Sequence, residues 1–107
     1  MTEFRAGLVG CGLFGESHLS ALQAVPGVRA AAVFDVDEAR AAALAAGYGV
    51  PVVARSLEEL LAAGVDTVHV ATPEHCHREP VVAALRAGKD VLVEKPFATS
   101  LDDCAAM

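Results

Sequence analysis

The chain has 107 residues, 54% of them hydrophobic, and a formal net charge of −6. That length suits one domain near the common size, and its 8 Lys and Arg, scattered singly, leave no basic stripe for a nucleic-acid backbone. Uncharged stretches such as "AAALAAGYGVPVVA" are broken by Gly or Pro, and none reaches the ~18 apolar residues of a membrane span.

The run "RAGLVG" over 5–10 reads as a buried strand. The following Cys11 gives "LVGC" the look of a lipid-attachment box, but only Ala6 to Gly10 separates it from Arg5. An export signal needs an apolar core of ~7–15 residues after a positive start, and here Glu3 cancels Arg5. An export signal is therefore not expected. "LFGESHLSALQAV" then forms a helix that ends at Pro26-Gly27, and "VRAAAVFD" over 28–35 is a second strand. A helix over 36–49 is capped by Asp37 and stopped at Gly47 and Gly49. "VPVVA" over 50–54 is a short strand. Ser56 and Glu59 then make a capping box for a helix closed by Gly64. "VDTVHVAT" over 65–72 is the fourth strand, and a helix over 77–88 holds Pro80 in its first turn. "KDVLVE" over 89–94 is the fifth strand, and Ser100 caps a last helix running to Met107. This alternation predicts an α/β fold, a Rossmann-type doubly wound parallel sheet with helices on both faces. The three cysteines, Cys11, Cys76 and Cys104, form no C-x-x-C pair. They are expected to be small buried or half-buried hydrophobes in a reducing, cytoplasmic setting.

Gly10-x-Gly12-x-x-Gly15 follows the first strand and opens the first helix, the context that gives this pattern its meaning. The first glycine permits the tight turn, the second lets a pyrophosphate reach the backbone, and the third lets helix and strand pack closely. The helix N-terminus offers unpaired N–H groups to the phosphates without any Lys or Arg. Leu13 and Phe14, within the loop, belong to the same cofactor-binding set. Asp35 ends the second strand, 20 residues after Gly15, where a dinucleotide site places an acid against the adenosine ribose. A carboxylate there repels a 2′-phosphate, so NAD is expected over NADP. Arg40 is read as a solvated face residue.

The second cluster is "VATPEHCHREPVVAALRAGKDVLVEKPFATS" over 70–100. Ala71, Thr72 and Pro73 turn the chain at the carboxyl edge of the sheet, where ligands bind in this fold. His75-Cys76-His77 lacks a complementary Cys or His pair nearby, so no metal site is expected; one histidine should face the cofactor edge and the other water. Glu94-Lys95-Pro96 admits two readings. A buried lysine beside an acid at a strand end suits proton transfer, whereas a surface turn would hold an ordinary salt pair. Spacing alone does not choose between them.

With "GLVGCGLFGESHLSAL", Asp35, "VATPEHCH" and "AGKDVLVEKPFATS" taken together, the chain resembles the N-terminal domain of the glucose–fructose oxidoreductase, inositol dehydrogenase and dihydrodiol dehydrogenase family. The resemblance implies that Gly10, Gly12 and Gly15 form the pyrophosphate loop and Asp35 takes the ribose. It implies that Thr72, Pro73 and His77 line the nicotinamide half, and that Glu94 and Lys95 stand at the family's Glu-Lys-Pro turn. Lys95 would then touch substrate and assist proton transfer. Glu74 stands where many members carry Asn or Asp. The resemblance also implies a substrate domain beyond Met107 that supplies a catalytic histidine and often the oligomer interface, with His18 structural or close to the cofactor. His69, within a strand, reads as a packed core residue.

These readings converge on residues 1–107 as the nucleotide-binding part of an oxidoreductase that interconverts a secondary alcohol and a ketone on a sugar, polyol or similar small molecule. The chain alone is expected to bind NAD without turnover and to leave Leu92, Phe97 and Leu101 short of partners. A homo-oligomer is compatible with this; nucleic-acid and membrane partners are not expected. One alternative is a non-catalytic NAD-binding module, or truncated paralogue, acting with a partner. A methyltransferase using S-adenosylmethionine would share the glycine loop and strand-end acid but not Glu-Lys-Pro. An NAD-dependent glycosidase on the same scaffold is a third.

Overall fold

The computed structural model describes residues 3–95 and 98–107. Its single sheet contains β1 (Phe4–Val9), β2 (Val28–Phe34), β3 (Val52–Val53), β4 (Thr67–Val70) and β5 (Asp90–Val93). They stand in the order β3-β2-β1-β4-β5, and every neighbouring pair is parallel. Parallel neighbours require crossovers. These are carried by α1 (Leu13–Gln23), α2 (Glu38–Tyr48), α3 (Leu57–Leu61) and α4 (Arg78–Arg86), while α5 (Leu101–Ala106) follows β5. The expected α/β class and element order hold.

All the strands but β1 are shorter than the hydrophobic runs that announce them. β3 keeps two residues of 50–54, paired only with β2 through Ala32–Val52 and Val33–Val53. Pro51 stands just before it and has no N–H to offer a ladder. A short 3-10 turn over Glu74–Cys76 had no sequence signal beyond Pro73, whose carbonyl accepts from the Cys76 N–H at 2.8 Å.

Alternation along the strands feeds two cores. Leu8 and Val33 point to one face, where Leu19 of α1 and Ala41 and Ala45 of α2 close over them. Val9, Ala32, Val68 and Val70 point to the other, against Leu57 and Leu60 of α3 and Val81 and Ala84 of α4. Each buried Val or Leu contributes about 1.5–3 kcal/mol. The alanines let helices lie close to the sheet, which accounts for the high hydropathy of a chain with few large side chains.

Three helices begin as their sequences predict. Asp37, Ser56 and Ser100 accept hydrogen bonds from the N–H groups of Arg40, Glu59 and Asp103, each at 3.1 Å. α5 buries no residue, and the ion pair from Arg78 Nη1 to Asp103 Oδ1 at 3.2 Å ties it to α4. Leu92 and Leu101 are exposed, as expected; Pro96 and Phe97 lie outside the described residues. From β1 the chain builds outward to β2 and β3, then returns to place β4 on the other side of β1. The loops after β1 and β4 therefore part company, and a crevice opens between them.

Candidate functional site

The crevice at that switch point has a volume of about 510 Å³, within the ~300–1,000 Å³ of ligand sites. One wall is the glycine loop with Gly10, Gly12, Leu13 and Phe14. Asp35 closes one end, while Ala71, Thr72, Pro73 and His77 come from the loop after β4 and Glu94 and Lys95 from the end of β5. All the residues that the sequence reading assigned to cofactor or substrate meet here except Gly15.

Gly15 acts one step back. A Cβ at this position would lie 2.0 Å from the carbonyl oxygen of Gly10, so α1 can approach β1 only where residue 15 has no side chain. Gly10 has φ 96°, and its Cβ would strike the Ala71–Thr72 backbone at 2.7 Å. Gly12 differs from both. A Cβ there would meet only Arg40 Nη1, at 3.8 Å, and otherwise open space in the crevice. The glycine is not required by the protein's own packing.

Gly12 is also the N-cap of α1 and supplies no side-chain hydrogen bond, unlike Asp37, Ser56 and Ser100 on α2, α3 and α5. The first turn of an 11-residue helix thus presents its N–H groups, with their partial positive charge, to the crevice. A phosphate fits that donor set.

Asp35 is buried and fixed by two backbone donors, Cys11 N to Oδ2 and Asp37 N to Oδ1, both at 2.8 Å. It thereby ties the glycine loop to the end of β2. Each carboxylate oxygen keeps a further lone pair for a ligand hydroxyl. Beside it stand two residues that the sequence reading did not assign to the site. Val36 is 92% exposed on the crevice rim, an apolar surface for a flat ring. Arg40, read from sequence as a solvated face residue, lines the crevice near Gly12. The helical spacing from Asp37 placed Arg40 one turn in, but not the direction in which its long side chain folds.

Cys11 is buried behind the loop, with its Sγ 3.7 Å from the Phe34 carbonyl oxygen. Burial pushes its thiol up to about 12, the Asp35 carboxylate adds to the rise, and the Arg40 guanidinium opposes it. The expectation of buried or half-buried cysteines holds for Cys11 alone, because Cys76 and Cys104 lie on short surface elements and are exposed. Iodoacetamide at pH 8 is expected to label Cys76 and Cys104 and to spare Cys11 until the protein is denatured, as mass spectrometry of digests can check.

His77 is fully buried, and its Nε2–H donates to the Thr72 carbonyl at 2.9 Å, holding the loop after β4 in shape. His75 and Cys76 are exposed beside it. Among the described residues no three His, Cys, Asp or Glu side chains gather as metal ligands. Lys95 lines the crevice but is exposed, so of the two readings left open the buried one does not hold. It does not form the ordinary salt pair with its neighbour either: Glu94 Oε1 lies 2.8 Å from His18 Nε2 on α1. His69 departs from its reading as a packed core residue. It is half-buried and holds His18 through an Nδ1–Nδ1 contact of 2.9 Å. Strand position made a core residue of it; the polar partner one helix away is invisible in a one-dimensional pattern.

Comparison with known proteins agrees with this fold. The profile of an oxidoreductase family with an NAD-binding Rossmann fold, GFO_IDH_MocA, matches residues 4–107. Inositol 2-dehydrogenase 1 of Saccharopolyspora erythraea is 44% identical over 94% of this chain and 31% of its own length. D-apiose dehydrogenase of Paraburkholderia graminis is 35% identical over 98% of this chain and 28% of its own. Among solved structures, GenD2 from gentamicin A biosynthesis, in complex with NAD, superposes with a TM-score of 0.91 at 35% identity. That match covers 98% of this chain and 30% of GenD2. The chain therefore spans about a third of the length of the relatives it matches.

Proposed function

Because the chain belongs to the oxidoreductase family with an NAD-binding Rossmann fold, we propose that its crevice holds NAD in preference to NADP for oxidation of a sugar- or polyol-like secondary alcohol. The observation that carries this is the bare N-terminus of α1, open to the crevice through Gly12 and flanked by Asp35. The pyrophosphate lies on the N–H groups after Gly12, the ribose hydroxyls on Asp35 and the adenine along Val36. Thr72, Pro73 and His77 border the nicotinamide half. The nicotinamide, when bound, accepts or donates the hydride. Lys95 reaches in from the end of β5 to hold the substrate hydroxyl and help move its proton. The similar dehydrogenases are about three times longer, so turnover draws on a further substrate-binding region, and the 107 residues bind cofactor without it. The cytoplasm, where the exposed Cys76 and Cys104 stay reduced, is the fitting compartment.

The cofactor choice is testable at Asp35. Calorimetry of the unmodified chain should give NAD at least ~10-fold tighter than NADP, since a carboxylate and a 2′-phosphate repel each other at contact. Asp35→Ser should bring the two to within about threefold, because Arg40 is already at hand for the phosphate. Equal or tighter NADP binding by the unmodified chain would contradict the assignment.

A further inference from the structure

A chain of hydrogen bonds leads from Glu94 away from the crevice. His18 Nε2 meets Glu94 Oε1 at 2.8 Å, and His18 Nδ1 meets His69 Nδ1 at 2.9 Å. The two rings stand edge to face, with centroids 5.2 Å apart and planes at 90°. Two imidazole nitrogens at that distance share one proton, since two lone pairs or two N–H groups would repel. Each ring is therefore entered at one nitrogen and left at the other. The far end is His69 Nε2. Among the described residues no buried side-chain nitrogen or oxygen is without a partner. His69 makes its one polar contact through Nδ1, so its Nε2 reaches solvent. His69 and His18 line a hollow of about 320 Å³ walled by Leu22, Val25 and Leu92, separate from the crevice that Glu94 lines.

We propose that Glu94, His18 and His69 form a proton relay between the crevice and this hollow, with His18 as the positioning residue for the Glu94 carboxylate. Its use rests on the redox reading above, because reducing a ketone consumes a proton inside a crevice that its ligands close to water. With Glu94 ionised, His18 Nε2–H donates to the carboxylate and His69 Nδ1–H donates to His18 Nδ1. One proton taken up at His69 Nε2 moves the Nδ1 proton from His69 to His18, and the Nε2 proton from His18 to Glu94. One proton has entered, both rings remain neutral with exchanged tautomers, and Glu94 holds a proton for the crevice. Run backwards, the same steps release it. Among the described residues the titratable groups along this path are His18 on α1, His69 on β4, and Glu94 with its neighbour Lys95 after β5. Burial, and then the neighbouring His18, hold His69 below the ordinary histidine range, which keeps it neutral while its tautomer changes.

Nitrogen-15 NMR of the histidine rings across pH, on the cofactor-free chain, tests this directly. At high pH His18 should carry its proton on Nε2 and His69 on Nδ1. When one proton is taken up on acidification, His69 should exchange Nδ1–H for Nε2–H and His18 should gain Nδ1–H in the same step, with His69 uncharged throughout. Glu94→Gln keeps an acceptor for His18 but removes the carboxylate that takes the proton, and should move that exchange to lower pH. A His69 that keeps Nδ1–H throughout, or a switch that Glu94→Gln leaves unmoved, would overturn the relay. Neither readout involves NAD, so loss of the relay would leave the cofactor assignment standing, and absence of NAD binding would leave the relay measurement intact.

Discussion

Gly12→Val is expected to weaken NAD binding by at least ~100-fold while leaving the fold in place, a loss of about 2.8 kcal/mol of binding energy. The backbone of Gly12, at φ −80° and ψ −158°, is open to any residue. Its Cβ would touch only the end of the Arg40 side chain, so the protein itself has room for valine. The cost to stability is that of a poor N-cap, about 1 kcal/mol. For a bound dinucleotide the same side chain stands between the pyrophosphate and the first N–H groups of α1. Calorimetric titration and a thermal melt read the two effects apart. Gly12→Ala should give a smaller loss of affinity in the same direction. Affinity within threefold of the unmodified chain would mean that no ligand approaches this backbone.

Gly15→Ala should act on the fold rather than on the ligand. Its Cβ would sit 2.0 Å from the Gly10 carbonyl oxygen, and the obstacle is backbone, with no flexible side chain to move aside. α1 must withdraw from β1, which disturbs the packing of Leu19 against Leu8 and Val33. Overpacking of this kind costs about 3 kcal/mol, well above the ~1 kcal/mol that alanine gains over glycine in a helix. Gly47→Ala is the internal control. That residue lies within α2, and nothing stands within 4 Å of a Cβ there. Helix propensity then acts alone, and stability should rise by ~0.5–1 kcal/mol. Urea denaturation of both variants checks the pair. A Gly15→Ala protein as stable as the original would contradict the close approach of helix and strand.

Much of this architecture can be read from the chain because its signals are local. A strand, three glycines and a helix occupy consecutive residues, and Asp37, Ser56 and Ser100 cap the helices that follow them. The crevice was legible for a related reason: parallel strands bring their carboxyl ends to one edge whatever their order, so the residues after β1, β2, β4 and β5 had to meet. What stayed hidden depends on long side chains and distant partners. Arg40 and Lys95 have several rotatable bonds, and their direction is set by neighbours from other elements. The pairing of Glu94 with His18 spans 76 positions and that of His18 with His69 spans 51. No periodicity encodes such contacts. The exposure of Cys76 and Cys104 depends on surface elements too short to bury a side chain.

NAD is proposed to lie across the carboxyl ends of β1 and β4, with its pyrophosphate on the start of α1 and its ribose on Asp35. Amide NMR of the unmodified chain titrated with NAD tests this residue by residue. The largest shifts should fall on Gly12 to Phe14 and on Asp35 and Val36, with smaller ones over Ala71 to Pro73. The amides of α3 and the exposed face of α2 should stay still. Saturating NAD that moves none of the glycine-loop amides, or that moves a cluster elsewhere on the surface, would contradict the account.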